Sequence, residues 1–383
     1  MSELINKNDN RTTIRWKLLT GASALALAAY VSSASAEDAG RPQFWIELGG
    51  QFSRLDDSQE IFAPVFPNSP PRPSIFSPSQ KFEKPPLYGF EEFGSLSFQP
   101  DDSNWIFSAS IRYGRSGRNR QVQQETNPEH LKYFPSIPGF GVPVAQRFAQ
   151  TNARTSEKYD VLDFEAGRDV GLGTFGNKDA SSVISAGVRF AHFQGKTNIS
   201  LKSDPDWHFN YFYLPTLGFS ISYGQAFHDN LASLKAQRSF HGIGPALSWK
   251  ASEPLAGNLQ DGALTLDWSV NAAVLFGRQK TRTQHQSTGR YFSHNGLIIF
   301  VNTIVPHTTA QYPAVPHTRS HNVTVSNVGG SVGLSWKLQN FKMSLGYKAD
   351  FFFNAMDGGI DTRKSENRGF FGPYASISIG LGD

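Results

Sequence analysis

Runs of about ten residues in which every second side chain is apolar recur along this chain, and they limit what it can fold into more than any other feature. In the longest run Leu264, Leu266, Trp268, Val270, Ala272, Val274 and Phe276 share one parity, against Thr265, Asp267, Ser269, Asn271, Ala273 and Gly277. Successive side chains of a strand point to opposite faces, so this is a ribbon with one apolar and one small or polar side. The pattern repeats at Phe44, Ile46, Leu48 and Phe52, and at Trp105, Phe107, Ala109, Ile111 and Tyr113. It returns at Leu162, Phe164 and Ala166, at Ile184, Ala186, Val188 and Phe190, at Phe341, Met343, Leu345, Tyr347 and Phe351, and at Ala375, Ile377, Ile379 and Leu381. After residue 36 no stretch approaches the roughly 18 apolar residues of a helical span.

One apolar face suits either a soluble sandwich or a membrane barrel. Three features favour the barrel. The runs have the length, about 9–11 residues, that crosses a bilayer at a tilt, whereas globular strands usually hold 5–6. The opposite faces are rich in Gly and Ser with scattered charges. Trp45, Trp105, Tyr113, Trp249 and Trp336 fall at run ends, where interfacial aromatics sit. Backbone groups in lipid must pair within the protein, so a spanning sheet has to close. The expected fold is all-β: an antiparallel up-and-down transmembrane barrel over residues 37–383.

Composition removes other classes. There is no Cys, hence no disulfide framework, thiolate metal site or cysteine nucleophile. The formal charge of +4 is too small to make nucleic acid the default partner. Gly, Pro, Phe, Ser and Thr dominate over good helix formers. Residues 1–36 read as a signal peptide: Arg11, Arg15 and Lys17 precede an apolar stretch from Leu18 to Val31, and Ala34-Ser35-Ala36 is a small-x-small cleavage site. An uncleaved anchor is the alternative, though the apolar stretch is short for a span. The expected location is a bacterial outer membrane, with its lipid and lipopolysaccharide as surroundings.

Ten strands are expected, near 43–54, 88–99, 104–115, 158–169, 181–193, 239–250, 262–278, 323–337, 341–353 and 371–381. Short connections (100–103, 171–180, 251–261, 338–340) alternate with long ones, as in barrels with short periplasmic turns and long extracellular loops. The first long loop carries Pro64, Pro67, Pro70, Pro71, Pro73, Pro78, Pro85 and Pro86, which favours extended backbone. Leu217 to Tyr223 and Leu297 to Val305 are each a hairpin extension, a lumenal segment or an added spanning pair, so twelve strands is the alternative. Pro245 and Pro373 fall within strand patterns, where a bulge or an extracellular strand end would accommodate the lost donor.

Several segments resemble a known family. Tyr159-Asp160-Val161-Leu162-Asp163-Phe164-Glu165-Ala166-Gly167 and Ser185-Ala186-Gly187-Val188-Arg189-Phe190-Ala191 are similar to the Legionella-type major outer-membrane, pore-forming protein family. Ser239-Phe240-His241-Gly242-Ile243-Gly244-Pro245, Leu275-Phe276-Gly277-Arg278 and Leu345-Gly346-Tyr347-Lys348-Ala349-Asp350 with Gly372-Pro373-Tyr374 follow in the family's order. The resemblance implies an outer-membrane barrel with porin-like activity and supplies no catalytic residues. The chain departs from the common pattern in ending Leu381-Gly382-Asp383, without a terminal aromatic.

By parity the lumen-lining charges are Glu47, Arg112, Asp163, Glu165, Arg189, Asp267, Lys348 and Asp350. Charges facing lipid would be expensive, so they are expected inside and paired. There they either tune a pore or plug a narrow barrel. The expected activity is passive passage of small hydrophilic solutes. The competing reading is a closed structural or surface-interaction barrel acting through its loops. His285, His294, His307, His317 and His321 share one long segment without metal-ligand spacing. Ser239 and His241 would share a face, as a rim hydrolase would need, but no third group orients them. No cofactor, metal or catalytic residue is expected, and the pattern sets no oligomeric state.

Overall fold

The computed structural model describes residues 44–57, 61–62, 82–83, 87–100, 103–116, 119–127, 147–170, 180–214, 219–258, 261–294, 304–312 and 315–381. Residues 1–36, read as a signal peptide, most of the proline-rich segment, residues 171–179 and residues 297–303 lie outside them.

Ten strands form the wall. In chain order they are β1 (Phe44–Asp57), β4 (Leu87–Phe98), β5 (Trp105–Ser116), β7 (Arg147–Asp169), β8 (Ser181–Leu214), β9 (Phe219–Asn258), β10 (Gly262–His294), β12 (His317–Leu338), β13 (Phe341–Asp357) and β14 (Ser365–Leu381). Each pairs antiparallel with its neighbours, and β14 pairs with β1 from Phe44↔Leu381 to Asp57↔Arg368, which closes the ring. A two-residue ribbon of β2 (Ile61–Phe62) and β3 (Phe82–Glu83) stands apart.

The expected positions hold, but the strands run further than the apolar pattern. β9 has 40 residues and β8 has 34, although about ten suffice to cross a bilayer. Their upper parts form one hairpin, paired out to Leu214↔Phe219, so the run at 217–224 is a hairpin extension and adds no spanning pair. β6 (Asn119–Asn127) pairs with the upper half of β7, whose lower half pairs with β5. β11 (Ile304–Tyr312) pairs in the same way with the top of β10 above β12. These two strands extend β5 and β12 upward, and the wall stays at ten. On the opposite side the fully described turn is tight: Gln339 adopts φ 45° between β12 and β13. The 251–261 connection shrinks, because β9 continues to Asn258, whose Oδ1 accepts the Asp261 N–H at 2.7 Å.

The two faces of the wall are chemically inverted relative to a soluble protein. Outward positions hold Leu345, Leu247, Phe276 and Ile111, each more than half exposed, while inward positions bury Arg189, Asp163 and Asp350. Water would not tolerate an apolar surface of that extent; lipid favours it. Trp105 and Trp336 are outward near strand ends beside the turns, whereas Trp249 is outward but well short of the end of β9 at Asn258. Trp45 lies on the other parity, its ring 5.5 Å beneath the Lys337 ammonium.

Neither proline sits at a bulge or a strand end. Pro245 faces Val188 on β8, while on its other side the β9–β10 ladder lapses at Gly244 and Pro245 and resumes in the same register. Pro373 faces Tyr347 on β13, and the β14–β1 ladder lapses at Gly372 and Pro373 likewise. Each proline lacks a donor and follows a glycine. A Cβ on Gly244 would stand 1.8 Å from the Val274 carbonyl oxygen, and one on Gly372 would stand 1.9 Å from that of Phe52. The glycines therefore let the strands close over the gap. Gly244→Val is expected to abolish barrel formation, seen as loss of heat-dependent gel mobility, whereas the lipid-facing Leu247→Val leaves it intact.

Candidate functional site

The interior is built in layers. Nearest the tight turns, Glu47 accepts from Ser95 Oγ at 3.3 Å, Glu165 pairs with Lys250 at 3.1 Å, and Asp267 pairs with Lys342 at 2.6 Å while accepting from Ser335. Next come two knots. Arg189 grips Asp163 with two nitrogens, Nε at 2.6 Å and Nη2 at 3.1 Å, and its Nη1 donates to Asn271 and Asn327. Arg112 pairs with Asp350, and beside them Glu91 takes Lys348 Nζ at 3.1 Å and the Tyr159 hydroxyl at 2.6 Å. β5 and β13 are not neighbours in the wall, so the Arg112–Asp350 bond crosses the lumen. Lys348 also sits 5.2 Å over the Phe93 ring.

Above the knots the interior turns apolar. Phe193, Phe240, Phe352 and Phe370 meet there, with centroids 4.8 Å apart for Phe193–Phe352 and 5.7 Å for Phe193–Phe240. Leu275, Val325, Ala355 and Met356 complete the layer, and Phe240 and Phe352 are 0% exposed. Among the described residues, the inward side chains of this layer are buried and packed against one another.

Part of the closure is a loop. At Asn354 (φ 58°) the β13–β14 pairing shifts register, and the chain turns inward through Ala355, Met356, Asp357, Gly358 and Gly359, all buried. Inward side chains of the wall hold its carbonyls: Arg238 on Gly358 at 3.0 Å, Gln279 on Asn354 at 2.6 Å, Thr283 on Ile360 at 2.9 Å, and Arg319 on Gly359 and Ile360 at 2.8 Å each. Asp357 lies above Phe353, the last lipid-facing residue of β13. Burial alone would push its carboxyl up. The Lys364 N–H, the Arg319 guanidinium and the Gly359 N–H outweigh that and hold it below the usual carboxylate range. A second ion-paired cluster, Arg368 with Glu157 at 3.3 Å and with Glu366 at 3.2 Å, flanks the loop.

All eight parity-derived charges point inward. Arg112, Asp163, Arg189, Lys348 and Asp350 gather in the two knots, whereas Glu47, Glu165 and Asp267 are spread through the layer below. Sequence reasoning passed over Glu91, although it shares inward parity with Phe93 and Ser95. It also passed over Glu157, Arg238, Arg319, Asp357, Glu366 and Arg368, because the apolar alternation ends before those parts of the strands begin. Ser239 and His241 face outward; His241 stacks on His192 at 4.0 Å, and His192 meets Asp160 at 3.2 Å. Among the described residues no hydrogen bond joins Ser239 to either ring. His285 pairs with Asp361 at 2.7 Å, and no metal-ligand cluster occurs among the described residues.

Removing one member of a buried ion pair strands its partner's charge. Arg112→Leu is therefore expected to cost about 3–5 kcal/mol in urea unfolding of the refolded protein, and the double change Arg112→Leu with Asp350→Leu much less. Because its carboxyl titrates low, Asp357 anchors the loop fully above about pH 4 and loses hold only as pH falls through its depressed value. At neutral pH Asp357→Asn is expected to speed tryptic cleavage at the exposed Arg363 and Lys364. An unchanged cleavage rate would rule out the carboxylate as anchor.

No curated protein matches the chain at a significant level. Among solved structures, the translocator domain of autotransporter NalP from Neisseria meningitidis is 10% identical, covering 97% of this chain and 98% of its own, with a TM-score of 0.26. The transport unit of autotransporter AIDA-I from Escherichia coli is 8% identical, covering 94% and 97%, with a TM-score of 0.22. The TodX monoaromatic hydrocarbon channel, as a ΔS2S3 mutant, is 8% identical over 89% and 91%, also at 0.22. The barrel assignment rests on the chain's own strand pairing. The family described as Legionella pneumophila major outer membrane protein precursor matches over residues 103–380, from the base of β5 to the end of β14. The chain belongs to that family of outer-membrane β-barrel proteins.

Proposed function

We propose that this outer-membrane barrel forms a pore for passive passage of small hydrophilic solutes, and that the arrangement described above is its shut state. The observation that carries this reading is the make-up of the closure. Below it the lumen is lined by ionised and hydroxyl side chains, a surface suited to water and small polar solutes. Part of the closure is a loop whose backbone carbonyls are held by the side chains of Arg238, Gln279, Thr283 and Arg319. The role is passive and needs no cofactor or catalytic group. Among the eight charges placed by parity, Glu47, Asp163, Glu165, Asp267 and Asp350 outnumber Arg112, Arg189 and Lys348; with Glu91, Lys250 and Lys342 the lining is nearly balanced, a faint lean towards cations.

A second reading, a permanently closed barrel acting through its extracellular surface, draws support from the wall's own contribution to the apolar layer: Phe193, Phe240, Leu275 and Val325 belong to strands rather than to the loop. Planar-bilayer conductance separates the two. The wild-type chain is expected to show brief, infrequent openings, and a variant with residues 355–364 replaced by a short Gly-Ser turn long-lived ones. Silence from both, with normal heat-dependent mobility, would establish the closed barrel instead.

A further inference from the structure

Above the lipid-facing belt, the outer wall changes character on five adjacent strands. Arg115 (β5), Lys158 (β7), Gln194 (β8), Ser239 (β9) and Lys280 (β10) are register partners from strand to strand, all outward. With neighbouring strands about 4.8 Å apart, this row spans about 19 Å. One step nearer the belt the matching row reads Tyr113, Asp160, His192, His241 and Arg278. Arg282 and Lys196 lie one step further out, and both face Gln237. Arg115, Lys158, Lys196, Arg278, Lys280 and Arg282 are exposed. Among the residues of these rows Asp160 is the only acid, and His192 engages it. Arg278 donates to Ser320 at 2.6 Å.

Two features of this arrangement call for an external anion. Arg115 and Lys158 stand directly opposite each other, and like charges in that position destabilise a sheet. Positions 278, 280 and 282 present three cations in succession along one face of β10, with no carboxylate in ion-pair range among the described residues. The wall immediately below is Ile111, Leu162, Phe190, Ile243 and Phe276, exposed or half-exposed and facing lipid. An occupant that meets both zones carries acyl chains and anionic groups joined at one level.

We propose that this collar is a docking surface for phosphorylated lipid of the outer leaflet, namely lipopolysaccharide, its acyl chains against the belt and its phosphates on the basic rows. Guanidinium groups at Arg115, Arg278 and Arg282 match phosphate oxygens in pairs, and the lysines add point charges. Gln194, Ser239 and His241 supply uncharged partners for the sugar between them. The inference is independent of whether the lumen conducts.

The test uses the full mature chain refolded in zwitterionic detergent and titrated with lipopolysaccharide, with dephosphorylated lipopolysaccharide and with inorganic phosphate. The wild type is expected to bind lipopolysaccharide saturably, the dephosphorylated form at least tenfold more weakly, and phosphate alone far more weakly still. The triple variant R115Q, K158Q and K280Q is expected to lose about a hundredfold in affinity, while R168Q, an exposed outward arginine at the opposite end of β7, binds normally. Equal binding by the triple variant or by the dephosphorylated lipid overturns the proposal. Phosphate binding as tight as that of the lipid would reduce the collar to a simple anion site and overturn it too. Should the triple variant fail to fold, salt dependence of wild-type binding decides: affinity unchanged from low to high salt also sinks the idea.

Discussion

Lipid offers a peptide group no hydrogen-bonding partner, and the pairing of β14 with β1 is the consequence on which everything else in this molecule depends. Once Leu381 pairs with Phe44, no spanning strand has a free edge, and every residue in the wall is committed to one of two environments. The tolerance of that arrangement is visible at Gly244-Pro245 and Gly372-Pro373. Each pair interrupts one ladder where a donor is missing, and each glycine brings the neighbouring backbone close enough to leave the register unbroken.

Closure forces the polar residues into a narrow space, where their charges are satisfied by one another. The bidentate Arg189–Asp163 pair and the Arg112–Asp350 bond across the lumen tie distant strands together. Such pairs add little net stability over apolar packing, but breaking one is costly, so they hold the barrel's cross-section to a single shape. The apolar layer of Phe193, Phe240, Phe352 and Phe370 lies above them, at the upper edge of the lipid-facing belt, where the inner face packs like a soluble core. One barrel thus carries two interiors, a charged one deeper in the lipid-facing belt and an apolar one at its upper edge.

Much of this was legible in the residues. Seven alternating runs, with the spacing of short and long connections, placed the ten wall strands, and the same parity put Glu47, Arg112, Asp163, Glu165, Arg189, Asp267, Lys348 and Asp350 inside. The alternation is legible only where one face meets lipid. Higher up, both faces of β7, β8 and β9 meet water or protein, polar residues such as Lys196 and Gln237 replace the apolar ones outside, and the signal fades although the strands continue. That is why Glu157, Arg238 and Arg368 were missed and why β9 proved to have 40 residues. Glu91 was equally hidden, its strand carrying Phe93 on the inward face as well as Phe90 on the outward one.

What the chain's own order of residues determined is the kind of solvent each face requires: a period of two in runs long enough to cross a bilayer, with aromatics at run ends and no long apolar run, points to a closed sheet in lipid. It also determined which charges had to turn inward, since parity is a local property of extended backbone. Partnership was decided only by the tertiary structure. Which carboxylate meets Arg112, which rings stack above Lys348, and whether the 354–364 loop lies outside or within depend on strand stagger around the ring. Stagger arises from the closure of all ten strands together, and no single segment encodes it.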